Sequence, residues 1–148
     1  MSKAESADLL MKLYDLRREE KMRDARNWMA TFFPENAQEV MQAMLHPDTS
    51  AYYRMVVSYW DMAASFVNHG AIDEDMFNDA SGEGTIVFSK IEPYLEELRQ
   101  LLNNPAYLGR LEAWISRMPD YKQLLEQRRN MMKGFLAARD EISKATNG

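Results

Sequence analysis

Apolar residues recur at spacings of three and four along nearly the whole chain, and each run stops at a proline or a glycine. That spacing lays one apolar stripe along one side of a helix. No segment alternates polar and apolar residues long enough to make a half-buried strand. The five prolines, Pro34, Pro47, Pro93, Pro105 and Pro119, punctuate the pattern. Each removes an amide donor and clashes with the turn before it. The chain is therefore expected to be all-α, a single-domain helical bundle over residues 1–148 with about six to seven helices.

The first helix is expected from about Ser6 to Phe33, with Leu9, Leu13 and Leu16 on one stripe and Met22, Ala25, Met29 and Phe32 on another. The two stripes are out of phase, so this helix either touches two neighbours or bends near Arg17 to Lys21. Asn36 with Glu39 reads as a capped second helix, its inner face Val40, Met41, Met44 and Leu45. The segment 50–69 is apolar on nearly every side, from Tyr52 and Tyr53 through Trp60 to Val67, and is expected to be the central, most buried helix. Ile72 and Phe77 around Asp73 read as a hydrophobic staple opening a fourth. A fifth runs from Val87 to Leu102 with Pro93 as a kink, and Asn104-Pro105 opens a sixth that ends at Pro119. The last runs from Asp120 to about Lys144.

Chemistry is narrowed by what the sequence lacks. With no cysteine there can be no disulfide scaffold, thiol nucleophile or cysteine zinc site. The two histidines have no Glu or His three or four residues before them, which removes the di-metal bundle pattern. No phosphate loop or nucleophile elbow is present, and the net charge of −5 disfavours a nucleic-acid partner. The least polar stretch, Met55 to Val67, carries Asp61 and is shorter than the ~20 residues of a membrane span, so no membrane insertion is expected. A soluble cytoplasmic protein without a cofactor is the expectation.

Four pieces follow one another in a recognisable order. They are Tyr14-Asp15-Leu16-Arg17 with Arg23-Asp24-Ala25-Arg26, Val57-Ser58-Tyr59-Trp60-Asp61 with Gly70-Ala71-Ile72-Asp73, Ile91-Glu92-Pro93-Tyr94 up to Arg99, and Tyr107 to Leu111-Glu112-Ala113-Trp114. In this the chain resembles an uncharacterised bacterial family of small helical proteins, the domain of unknown function 4760. The resemblance implies an all-helical fold and transfers no activity. Asp61 stands where that family tends to carry Glu, and the glycine-containing stretch 81–85 looks unlike its usual helical connection.

Two places could hold a site. Asp79 to Lys90 resembles an EF-hand loop, with Asp79, Ser81 and Glu83 at the first three ligand positions and Gly84 at the turn. Its twelfth position, which needs a bidentate carboxylate, is Lys90, so a plain helix-to-helix turn is favoured and no metal is assigned. On the central helix Arg54, Ser58, Asp61, Ser65 and Asn68 share a stripe. This stripe is a solvent face, or Asp61 meets Arg99 in a buried pair, or Arg54, Trp60, Asp61, Tyr94 and Arg99 line a ligand pocket. The chain thus reads as a non-enzymatic helical interaction or scaffold protein, a homodimer being one form, with Trp28, Tyr52 and Trp114 as exposed aromatic candidates. The alternative is a small-molecule or ion-binding protein using the Asp61 and Arg99 region or the Asp79 loop.

Overall fold

The computed structural model describes residues 2–147, and these form helices and turns without a strand. The helices are α1 (Lys3–Arg17), α2 (Glu20–Thr31), α3 (Ala37–Leu45), α4 (Ser50–Asn68), α5 (Glu74–Ala80), α6 (Gly82–Ile91), α7 (Leu95–Leu101), α8 (Gly109–Ile115) and α9 (Tyr121–Asn147), with a 3-10 turn at Glu92–Tyr94. The segments exceed the expected six to seven because two of the anticipated helices are each divided.

The first division lies at Arg18 and Glu19. Glu19 adopts an extended backbone, and its carboxylate accepts from the Met22 amide at 2.9 Å, so it caps a new helix. The two out-of-phase stripes belong to two helices. The second division is at Pro93, which cannot donate to the Ser89 carbonyl four residues back. That carbonyl instead accepts from Arg129 Nη1 of α9 at 2.8 Å. A proline break on α6 thereby becomes an attachment point for α9.

The core centres on α4, as the apolar pattern of 50–69 implied. Its Tyr53, Val56, Val57, Tyr59, Trp60, Ala63, Ala64 and Val67 are buried, and it packs against α2, α3, α6 and α8. The Asp73 cap and its staple form as expected, with Met76 N donating to Asp73 Oδ2 at 3.0 Å and Ile72 and Phe77 buried. Three expectations are corrected. The buried face of α3 is Ala37, Val40 and Ala43, leaving Leu45 exposed. Residues 105–108 are turns, because Asn104 Oδ1 accepts from Ala106 N and Leu108 takes a left-handed backbone, φ 56°, so α8 begins only at Gly109. Trp114 is fully buried, and Trp28 is half-buried with its ring stacked 4.8 Å from Phe32.

Candidate functional site

Asp61 and Arg99 do not pair. Asp61 Oδ1 accepts from the Leu111 amide at 3.0 Å, and Arg110 lies 3.5 Å from its other oxygen. The residue at the N-cap of α8, Leu108, has no side-chain acceptor, and Leu111 is the third residue of that helix. Asp61 therefore caps α8 from a different helix, with its negative charge at the end where free amides favour it. Arg99 points elsewhere, donating to the Tyr107 carbonyl at 3.0 Å and to Glu112 Oε1 at 3.0 Å. Asn68, on the same stripe of α4, adds Nδ2 to the Arg110 carbonyl at 3.0 Å. Part of the supposed solvent face is thus the seat of α8.

Since Leu111 is fully buried, Asp61→Ala strands its amide without an acceptor. A loss of about 1–3 kcal/mol is expected. Asp61→Asn, which keeps the acceptor, should restore most of it. Urea unfolding of both variants checks this, and an unchanged midpoint in Asp61→Ala would sink the trans cap.

Beside Asp61 a groove of about 570 Å3 runs between α4 and the connection 102–108. Arg54 and Asp61 line it, together with Tyr53, Ser58, Asn104, Tyr107 and Arg110. The Tyr53 and Tyr107 hydroxyls meet at 2.7 Å. Burial pushes the Tyr107 phenol up to about 12 and the Tyr53 phenol well above its ordinary value. Both stay protonated near neutrality, so here they hydrogen-bond and do not transfer protons. Two connection residues, Asn103 and Leu108, hold left-handed backbones that non-glycine residues seldom adopt. Burial of Leu108 and the Arg99 bond to Tyr107 hold that conformation.

The other three residues assigned to a pocket lie apart from this groove. Trp60 is buried against α1 and α6, Tyr94 donates its hydroxyl to the Pro34 carbonyl at 2.9 Å, and Arg99 braces the connection from behind. Tyr53, Ser58, Asn104, Tyr107 and Arg110 were not singled out from the sequence as lining residues. The connection carries no ligand motif, and only the αL turn at Leu108 brings Tyr107 to α4.

The EF-hand-like stretch is also rearranged. Residues 82–91 are helical, so the backbone needed to wrap a calcium ion does not form. Asp79 is exposed, Ser81 is buried, and Glu83 accepts from Arg26 Nε at 2.9 Å and 3.2 Å. Among the described residues no group of three or more His, Cys, Asp or Glu side chains is placed to hold a metal ion. No helix among them is long and apolar enough to cross a membrane.

A third feature is α9. Only Leu125 of its 27 residues is fully buried, and residues 137–147 are all exposed. Leu124, Arg128, Met131, Phe135, Ala138, Ile142 and Ala145 follow one another by alternating steps of four and three, the spacing of a coiled-coil seam. Phe135 and Ile142 on that seam are 63% and 68% exposed.

No curated protein and no solved structure matches the chain. The family model that does match ends just before α9. Residues 3–118 match the domain of unknown function DUF4760, and the chain belongs to that family.

Proposed function

We propose that the chain is a helical interaction module that pairs with a second copy of itself through the distal half of α9. The observation that carries this reading is the exposed seam of Phe135 and Ile142 on a helix whose base is fixed to α6. Arg129 anchors that base through the Ser89 carbonyl, and beyond it Phe135 and Ile142 line an open groove shared with Ala30 of α2. Gly134, Ala137 and Ala138 are small enough to let two helices approach closely. Over residues 131–147, three basic and two acidic side chains leave almost no net charge to oppose self-pairing, unlike the acidic chain as a whole. A two-fold antiparallel arrangement buries the same stripe on both copies and closes the assembly.

Multi-angle light scattering on the full chain is expected to give twice the chain mass at micromolar concentration. The double variant Phe135→Glu with Ile142→Glu should be monomeric, with the unfolding of the body unchanged. A strictly monomeric wild-type chain would overturn the reading. A second reading, a small-molecule site using Arg54 and Asp61, is supported by the groove they share with the tyrosine pair.

A further inference from the structure

The groove between α4 and the connection 102–108, at about 570 Å3, has the volume of a site for a small organic molecule. Val57, Leu108 and Ala106 give it apolar wall, beside the rings of Tyr53 and Tyr107. Val57 and Leu108 are buried and Ala106 is exposed, so this wall continues from the core to the open side. A ligand here needs an apolar body.

Among the polar groups, Asp61 is already engaged at both oxygens, by the Leu111 amide at 3.0 Å and by Arg110 at 3.5 Å. Arg54 is not. It lines the groove, is exposed, and forms no ion pair among the described residues. Its Nε–H donates to the Ser50 carbonyl at 3.3 Å, one turn back on α4. That bond draws the side chain away from Asp61, which lies a further two turns on, about 10 Å along the helix axis. The two terminal nitrogens of Arg54 keep their N–H groups for another acceptor.

Other donors in the lining are also unengaged. Asn104 Oδ1 accepts from Ala106 N at 3.2 Å, while its NH2 group makes no hydrogen bond among the described residues. The paired hydroxyls of Tyr53 and Tyr107 carry two hydrogens, and the 2.7 Å bond between them uses one. Tyr53 is buried and Tyr107 half-buried, so donation from Tyr53 leaves the other hydrogen on the more open ring. The groove therefore favours a ligand rich in acceptors. Arg54 and Arg110 against Asp61, the one carboxylate of the lining, leave a single positive charge uncancelled on a chain of net charge −5.

We propose, on the small-molecule reading of this groove, that it binds an organic monocarboxylate with an apolar ring system. The carboxylate accepts end-on from the two terminal nitrogens of Arg54, where a planar guanidinium and a planar carboxylate make two parallel bonds. The rings lie along Val57, Leu108 and the tyrosine rings. A cation is disfavoured because Asp61 already holds two partners, and a dianion exceeds the one uncancelled charge.

1-Naphthylacetate is the probe, titrated calorimetrically into the full chain, with 2-(1-naphthyl)ethanol as a neutral analogue of similar size. Saturable binding of one acid per chain is expected, and the alcohol should bind at least tenfold more weakly. Arg54→Gln should weaken the acid at least tenfold, and Arg54→Lys, which keeps the charge without the fork, by a smaller factor. Position 54 is exposed, so both variants should fold. Arg23→Gln, on the exposed face of α2, makes the same change in net charge and should leave binding unaltered. The Phe135→Glu, Ile142→Glu variant should bind the acid within twofold of the wild type. A loss in Arg23→Gln equal to that in Arg54→Gln, or a loss in the α9 variant, would put the probe elsewhere and overturn the proposal. Equal binding of acid and alcohol, or an Arg54→Gln chain that binds like the wild type, would overturn the carboxylate and leave the small-molecule groove standing. No saturation by either probe up to about 10 mM would sink both.

Discussion

Trp114→Ala is expected to lose about 3–5 kcal/mol of stability, a large part of what a domain of this size has to spare. The indole is fully buried, and its N–H donates to Asn78 Oδ1 at 2.7 Å. Its ring meets Phe77 edge to face, with centroids 4.8 Å apart and planes at 72°. On the opposite side lies Gly84, where a Cβ would stand 3.0 Å and 3.1 Å from Trp114 and 2.8 Å from Trp60. Helix α6 can approach α4 and α8 this closely only because residue 84 has no side chain. Gly84→Ala should therefore cost about 1–3 kcal/mol through overpacking, although the same exchange at an exposed helical position is stabilising by up to about 1 kcal/mol. The two changes should couple. Once Trp114 is truncated, Trp60 has room to yield, and the alanine at 84 should cost much less than it does alone. Denaturant unfolding of the two single variants and the double variant measures this, and strictly additive losses would refute the shared contact.

The fold was largely legible in the sequence because its information is local. Asn36, Asp73 and the periodic stripe of α4 each act within a few residues, and all three behave as their spacing implies. The division at Glu19 was half visible, as a phase change without a breaker residue, and the capping role of a glutamate is an uncommon signal. The site was less legible because its polar groups act between helices. Asp61 could be read as part of a solvent face, as one half of a pair with Arg99 or as a pocket wall; its partner is a backbone amide of α8, which no residue type announces. Arg129 answers the carbonyl freed by Pro93, forty residues earlier in the chain. Tyr94 donates to the Pro34 carbonyl just beyond α2, and Tyr59 to the Leu13 carbonyl inside α1. The long polar side chains of this bundle serve main-chain atoms of other helices, and their pairing follows from the tertiary fold. In the same way Glu83 stands at the spacing of a calcium ligand in a stretch whose Lys90 favoured a plain turn, and the helix at 82–91 turns it toward Arg26.

Lys90→Met is expected to stabilise the protein at neutral pH by about 1–3 kcal/mol and to remove a rise in stability above pH 8. Lys90, the residue at odds with a calcium loop, is 3% exposed. Its ammonium donates to the Met29 carbonyl in the last turn of α2 and lies 4.3 Å from the Phe33 ring centroid. A cation at a helix C-terminus is favourable. No carboxylate touches it, however, and burial lowers its pKa from 10.5 to about 8 against the weaker pull of Glu83. Between those two values the unfolded chain holds the proton and the folded chain releases it, so stability rises with pH. The full gap corresponds to about 3 kcal/mol. The rise ends where the tyrosines begin to act. Burial raises the pKa of Tyr53, Tyr59 and Tyr107 above 10, so the folded chain keeps protons there that the unfolded chain loses, and stability falls. Wild-type stability should thus peak between pH 8 and 10. In Lys90→Met the rise disappears and the alkaline fall remains. Met29 O still accepts from the Phe32 amide at 3.1 Å, so removing the ammonium leaves no buried carbonyl bare. Urea unfolding at a series of pH values from 7 to 11 checks both halves. A wild-type curve that is flat through this range, or a Lys90→Met protein weaker at neutral pH, would show that the ammonium is held by more than one carbonyl and a ring.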